Sequence, residues 1–149
     1  MPAHALSSLF DVRLPLIQAP MAGSQGAALA LAVCAAGGLG SLPAAMLTPE
    51  ALQAELQRLR SQAAGPWNVN FFCHTPPVPD AAAEARWRAA LRPFYDEAGI
   101  DPTKVPAGAG RVPFSHTMAD VLEPFAPPVV SFHFGLPAPD LLARVKSWG

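Results

Sequence analysis

Histidine and asparagine side chains lie near the carboxyl ends of two predicted strands, a position that often carries catalysis in parallel α/β proteins. His133 belongs to the apolar run Val129–Phe134 (VVSFHF), and Asn68 and Asn70 belong to Trp67–Phe72 (WNVNFF). Histidine titrates near neutral pH and can act as a general acid or base, and an amide can hold a polar ligand. The alternative interpretation is structural: a core histidine bonded to a backbone carbonyl, and asparagines that are solvated at a sheet edge or make a structural hydrogen bond.

Other reactive residue types have less claim to a catalytic role. His74 closely follows the WNVNFF run and is predicted to face the same carboxyl end of the strands as His133. His4 and His116 fall in loops or at ends. Cys34 and Cys73 are far apart in apolar surroundings, which predicts buried free thiols and a reducing compartment. No metal-binding spacing, no G-x-G-x-x-G between a strand and a helix, and no G-x-S-x-G occurs in the sequence. These absences argue against a metal centre, a Rossmann nucleotide site and a serine nucleophile elbow.

The first element that must position these residues is a βαβ unit. The pattern predicts a strand over Leu14–Ala19, a loop opened by Gly23 and Gly26, a helix over Ala27–Ala36 and a second strand over Leu39–Ala45. Such a unit requires a parallel sheet, in which ligands bind at the carboxyl ends of the strands. The sequence therefore predicts a binding loop directly after the first strand.

The rest of the chain repeats the order of strand, loop and helix. Within WNVNFF, the alternation of a strand places Asn68, Asn70 and Phe72 on one face and Trp67, Val69 and Phe71 on the other. Four such units predict an α/β fold with a parallel sheet. The glycine- and proline-rich segment Gly99–Pro113 is predicted to be irregular, either as a cover for an active site or as a simple connection. The further predicted elements are a lead-in over Met1–Arg13, a helix starting at Thr48-Pro49-Glu50, one from Asp80 to about Arg92 ended by Pro93, the irregular Gly99–Pro113, one over Ser115–Phe125, a strand over Val129–Phe134 and a helix from Pro139.

Composition limits the function classes. The chain has 149 residues, of which 51% are hydrophobic and 14% charged, as expected for one domain with a substantial core. A net charge of −1 without a basic block argues against nucleic acid or an anionic membrane as a partner. No charge lies between Arg13 and Glu50, but prolines, glycines and glutamines interrupt this window, so we expect a core helix and not a membrane span. We find no secretory leader and expect a cytoplasmic protein.

Four segments carry a family resemblance that spans nearly the whole chain in order. They are QAPMAG at 18–23, AVCAAGGLGSLPA at 32–44, NVNFF at 68–72 and SFHFGLP at 131–137. Together they resemble the flavin-dependent nitronate monooxygenases, formerly called 2-nitropropane dioxygenases. The resemblance implies a parallel (β/α)8 TIM barrel with FMN at its C-terminal mouth and a small added domain. This chain supplies about the first four βα units of such a barrel.

The resemblance also implies residue roles. Pro20, Met21 and Ala22 would lie against the flavin ring, and Asn70 would hydrogen-bond FMN. His133 would be the catalytic base, which removes the carbon-bound proton of a nitroalkane or orients a nitronate. With O2 as the second substrate, the products would be a carbonyl compound and nitrite. Tyr95 is a candidate for the aromatic wall of the pocket.

The chain departs from this family in length, because a barrel of this type needs about 250 residues. Residues 1–149 are therefore predicted to be the N-terminal half of an FMN-binding barrel domain. This half is either a fragment or truncated gene product, or a half-barrel that associates with a partner chain. The usual phosphate-binding loops have no counterpart here, so we expect the chain alone to be inactive and to bind FMN weakly or not at all. Its exposed strand edge predicts aggregation or a homo-oligomer. Alternative functions are a flavin-dependent enoyl-ACP reductase, which shares the QAPM-type opening, and a non-catalytic half-barrel that associates with a partner chain.

Overall fold

Three short parallel strands form the sheet of this protein, in the order β1-β2-β3. They are β1 (Gly40–Pro43), β2 (Trp67–Phe72) and β3 (Val129–His133). The register pairs Ser41 with Asn68, and Phe72 with His133. The computed structural model describes residues 3–105 and 111–148, so residues 106–110 of the predicted irregular segment lie outside the described part.

Six α-helices accompany the strands in the described part of the chain. They are α1 (Ala3–Phe10), α2 (Ala27–Ala36), α3 (Pro49–Gln62), α4 (Ala81–Glu97), α5 (His116–Leu122) and α6 (Pro139–Lys146), and a 3₁₀ turn over Glu123–Phe125 follows α5. The residues cluster into one unit of Met1–His74 with Arg111–Gly149 and a second unit of Thr75–Gly110, which contains α4. The alternation of parallel strands and helices confirms the predicted α/β class.

The predicted strand over Leu14–Ala19 is reduced to a single parallel bridge between Ile17 and Leu39. Two backbone hydrogen bonds make this bridge: the Gln18 N–H donates to the Leu39 carbonyl, and the Leu39 N–H donates to the Leu16 carbonyl. Pro15 and Pro20 flank the segment and have no N–H to extend the ladder. The strand prediction was therefore wrong in extent, although the segment lies where a first strand would lie.

Helix ends follow the capping residues closely. The side chains of Thr48, Asp80 and Ser115 accept hydrogen bonds from backbone N–H groups in the first turns of α3, α4 and α5.

Helix α4 continues through Pro93 to Glu97, so the prediction that Pro93 ends it was wrong. A proline removes only one backbone N–H, and the ion pair between Arg92 and Asp96 (2.9 Å) spans this position. Helix α1 also forms within the segment predicted as a simple lead-in.

One face of the sheet, which we call the helix-covered face, holds the core. Leu42 of β1 and Val69 and Phe71 of β2 are fully or almost fully buried there. Helices α2, α3, α5 and α6 pack into the same cluster through Cys34, Leu56, Leu122, Leu141 and their neighbours. Trp67, Val69 and Phe71 all belong to this core cluster, so the prediction that they share one face of β2 is confirmed.

Two close approaches fix helix α2 in place. A Cβ on Gly40 would lie 2.1 Å from the Ala30 carbonyl oxygen, so this position needs glycine to let the helix pack against β1. At the start of the helix, the Ala27 N–H donates to Glu55 Oε2 of α3 (2.5 Å). A side chain of the neighbouring helix therefore satisfies one of the free N–H groups of the first turn of α2.

Within the described residues, none of the helices combines the length and the apolar character that a bilayer crossing requires. The same part of the chain holds no cluster of three His, Cys, Asp or Glu side chains arranged for a metal ion.

Candidate functional site

The other side of the sheet, which we call the polar face, carries Ser41, Asn68, Asn70, Ser131 and His133. Strand alternation places them there, and the pairs Ser41–Asn68 and Asn70–Ser131 bring them side by side. Ser41, Asn68 and Asn70 are buried, with Asn70 only 1% exposed. Polar groups removed from water in this way are costly unless they are hydrogen-bonded.

Asn70 contacts the predicted catalytic histidine directly. Its Oδ1 lies 3.2 Å from Nδ1 of His133, the last residue of β3. Its Nδ2 donates to the hydroxyl of Ser131 (2.9 Å) and to the backbone carbonyl of the same residue (3.2 Å). The structure therefore brings together His133 and Asn70, two of the predicted site residues.

Asn68 extends this network toward β1. Its Nδ2 donates to Oγ of Ser41 (3.1 Å) and to Oγ of Ser131 (2.9 Å), and its Oδ1 is buried with no partner among the described residues. Ser131 thus accepts hydrogen bonds from two buried amides at once. The three strands are cross-linked by side chains on this face as well as by their backbones.

The predicted binding loop, Pro20-Met21-Ala22, follows the Ile17 bridge. Because that bridge and all three strands run parallel, the loop lies at the same edge of the sheet as His133. Met21 is 48% exposed, and Pro20 and Ala22 are partly exposed. The loop offers an accessible apolar surface at the edge where the imidazole is also exposed.

Two glutamines anchor the ends of this loop to β1. The Gln18 side chain accepts from the Ser41 N–H (3.1 Å) and donates to the Ser41 carbonyl (3.2 Å), replacing two missing rungs of the backbone ladder. Gln25 donates to the carbonyls of Ala19 and Ser41 (3.3 and 3.2 Å). Gly23 adopts a positive φ of 82° between these anchors. The loop is held from both sides, so its exposed residues have a defined position.

Aromatic rings surround His133. The Phe72 ring lies edge-on to it with centroids 6.1 Å apart, and the Phe134 ring lies 6.2 Å away. His74 packs edge-on against Phe72 and Phe134, and its buried Nδ1 has no partner within the described part of the chain. The surroundings of the imidazole are therefore apolar on the aromatic side and amide-lined on the other.

The remaining candidates are not members of the side-chain network that joins His133, Asn70, Ser131 and Asn68. His116 is exposed and pairs with Asp140 (3.2 Å), and Tyr95 lies in α4 of the second unit. Burial raises the pKa of the Cys34 and Cys73 thiols, which keeps both protonated and poorly nucleophilic at neutral pH. Both cysteines are free thiols.

Sequence reasoning missed the two serines of the network. Ser41 and Ser131 are the small polar members of otherwise apolar strands, and Ser131 stands two residues before His133. That spacing places Ser131 and His133 on one face of a strand, which was the available signal. Their partners across the sheet depend on register, which no local pattern defines.

Comparison with known proteins identifies the family. The profile of the nitronate monooxygenases matches residues 3–149. The chain belongs to the nitronate monooxygenase family. Nitronate monooxygenases from Paraburkholderia phytofirmans and Pseudomonas aeruginosa are 40% and 37% identical over 98% and 95% of this chain. The chain spans about 40% of the length of each of these relatives.

One solved structure agrees with this membership, and a second agrees with the fold. A nitroalkane oxidase from Streptomyces ansochromogenes is 38% identical and superimposes with a TM-score of 0.76 over 97% of this chain and 40% of its own. FabK (M276A mutant) from Thermotoga maritima is 21% identical with a TM-score of 0.65, covering 97% of this chain and 36% of its own, and supports the fold alone. The likeness to the nitroalkane oxidase confirms the predicted fold class. That class is a parallel (β/α)8 type, of which this nitronate monooxygenase family member supplies the first units.

Proposed function

We propose that the complete protein containing this chain is an FMN-dependent enzyme that oxidises nitronates or nitroalkanes with O2. The observation that carries the proposal is the contact between His133 and Asn70 at the carboxyl edge of the sheet, in a chain of the nitronate monooxygenase family. An exposed imidazole held by a buried amide is suited to proton transfer at a bound substrate.

The residues present fit a flavin. Pro20, Met21 and Ala22 provide a partly exposed apolar loop at the edge that also carries His133, and such a surface suits a planar aromatic ring. These loop residues would hold the flavin of FMN, and direct bonding of Asn70 to it stays a prediction. The chemistry that FMN supplies in such an enzyme is electron acceptance from the nitronate and transfer to O2, with a carbonyl compound and nitrite as products.

His133 has the role of general base in this proposal. It takes the acidic proton from the carbon next to the nitro group, and the resulting nitronate stays beside the protonated ring. Phe72 and Phe134 line the site with apolar surface that suits the alkyl part of a small nitroalkane.

The experiment is His133→Gln in the complete protein, assayed separately with a neutral nitroalkane and with the preformed nitronate. If the imidazole removes the proton, the kcat/KM for the nitroalkane falls by about 10²- to 10⁴-fold, the usual contribution of a general base, while the nitronate is still oxidised. If the imidazole instead orients the anion, both activities fall.

A matched control is His116→Gln, which removes an exposed histidine paired with Asp140. We expect it to leave both activities unchanged. Full nitroalkane oxidation by the His133 variant would contradict the assignment of the base. The absence of nitrite release by the unmodified protein, together with NAD(P)H-dependent enoyl reduction, would contradict the proposed function itself.

A further inference from the structure

We infer that Asn70 and Ser131 are positioning residues that hold His133 in a single tautomer, with the proton on Nδ1 and the lone pair on Nε2. The assignment of Nε2 as the atom that takes the substrate proton rests on the proposed function. The tautomer itself follows from the hydrogen bonds of this chain alone.

The orientation of the Asn70 amide is fixed by an atom that can only accept. The backbone carbonyl oxygen of Ser131 lies 3.2 Å from Nδ2 of Asn70, and a carbonyl oxygen has no proton to donate. The atom facing it must therefore be the amide nitrogen. The second N–H of the same group is used by the Ser131 hydroxyl at 2.9 Å.

The carbonyl end of the amide then points at the imidazole. Oδ1 of Asn70 lies 3.2 Å from Nδ1 of His133, and an amide oxygen is also only an acceptor. A hydrogen bond forms only if Nδ1 carries the proton. In the neutral ring this leaves Nε2 unprotonated, and Nε2 is the nitrogen that can act as a base.

The same contact survives proton transfer. When Nε2 takes a proton, Nδ1 keeps its own, so the bond to Asn70 stays intact and the ring need not turn. A carboxylate at position 70 would also select this tautomer, but its charge would favour the imidazolium. The neutral amide defines the tautomer without adding a buried charge.

Ser131 makes the orientation of the amide more stable. Its hydroxyl accepts from Asn68 as well as from Asn70, and Asn68 is in turn bonded to Ser41. Asn70 and Asn68 are 1% and 3% exposed, so water does not compete for these bonds. Turning the Asn70 amide around would place its oxygen against the Ser131 backbone carbonyl, so that two acceptors would face each other.

The test is nitrogen NMR of the complete protein that contains this chain, labelled with ¹⁵N-histidine and recorded at alkaline pH. Long-range proton–nitrogen couplings show which ring nitrogen carries the proton, and His133→Gln identifies the signals of His133. We expect the Nδ1–H form to be the major one, whereas free histidine favours Nε2–H. This readout needs neither substrate nor flavin, so it stands or falls independently of the proposed function.

Three variants separate positioning from a general structural role. Asn70→Leu removes the acceptor and should return His133 to mainly Nε2–H, and Ser131→Ala should lower the Nδ1–H fraction. Ser41→Ala is the matched control, because Ser41 also accepts from Asn68 but not from Asn70, and it should leave the Nδ1–H fraction unchanged.

A mainly Nε2–H form in the unmodified chain would overturn the inference, as would equal effects of Ser131→Ala and Ser41→Ala. If Asn70→Leu does not fold, the unmodified chain and the two serine variants still decide the question.

Discussion

The two faces of the sheet use the same three strands for opposite purposes. On the helix-covered face, Leu42, Val69 and Phe71 are buried against four helices and make no polar contacts through their side chains. On the polar face, Ser41, Asn68, Asn70, Ser131 and His133 are joined by specific hydrogen bonds. Apolar contacts stabilise the fold in proportion to the apolar area that they remove from water, and they tolerate small shifts of the side chains. Hydrogen bonds depend on the position of single atoms.

A buried apolar side chain on one face contributes more to stability than a hydrogen bond on the other. A fully buried leucine or phenylalanine contributes about 1.5–3 kcal/mol through burial. A hydrogen bond in a folded protein contributes a net of about 0.5–1.5 kcal/mol, because the same groups bind water in the unfolded chain. The helix-covered face therefore accounts for most of the stability, and the polar face contributes mainly the defined position of His133.

The largest expected effect is on the helix-covered face. Phe71→Ala removes a ring that is 1% exposed and packs 4.7 Å from the Phe114 ring, so it should lower the free energy of unfolding by about 3–5 kcal/mol. Denaturant unfolding measures the change. Phe94→Ala, at a ring that is 65% exposed in α4, is the control and should change the free energy by less than about 0.5 kcal/mol. Equal losses in the two variants would refute the comparison.

A smaller effect is expected on the polar face. Asn68→Ala removes the two donors that link Ser41 and Ser131, and it should cost about 1–3 kcal/mol in the same unfolding experiment. Gln57→Ala replaces an exposed amide on α3 and should be nearly neutral. A loss at Asn68 as large as that at Phe71 would show that the network stabilises the fold as strongly as the core does.

The smallest expected effect is a loss of stability at acidic pH, and it arises among the helices of the helix-covered face. Arg144 and the Trp148 indole donate to the Glu123 carboxylate, which holds α6 at the 3₁₀ turn and lowers the pKa of Glu123 below its ordinary 4.5. Because this pKa is lowered in the folded state, the stabilisation is complete above pH 4.5 and is lost as the pH falls through the lower value.

The measurement is the melting temperature of the unmodified chain and of Glu123→Gln as a function of pH. The unmodified chain should melt at a slightly higher temperature near pH 7, and the gap should close in acid. A gap that stays constant below pH 4 would show that the carboxylate charge does not contribute. The polar-face network described above contains no carboxyl group, so the difference in melting temperature caused by Asn68→Ala should not close in acid.

Local signals predicted the helices well. Thr48, Asp80 and Ser115 act within one turn of themselves, and Ala27–Ala36 is helical over the predicted range. The first strand was predicted too long, because extension needs a partner and N–H groups that the flanking prolines lack. Pro93 was predicted to end α4, but one missing hydrogen bond does not end a helix whose next turn has other contacts.

The site could be predicted in part. The alternation within β2 placed Asn68 and Asn70 on one face, and the resemblance singled out His133. The bonds of Ser131 to both asparagines, and of Asn70 to His133, depend on the pairing of Asn70 with Ser131 and of Phe72 with His133. Register is set by the whole sheet, and no short segment of sequence contains it.

The carboxylate at the beginning of α2 has a consequence for ligand selection. A helix start ordinarily attracts anions, because its free N–H groups carry a partial positive charge. Here the Glu55 carboxylate already accepts from the Ala27 N–H at the start of α2. A phosphate approaching the end of the loop that contains Gly23 and Gly26 would therefore meet a negative charge. This corner of the protein therefore favours the uncharged, aromatic end of a nucleotide-like molecule over its phosphorylated tail.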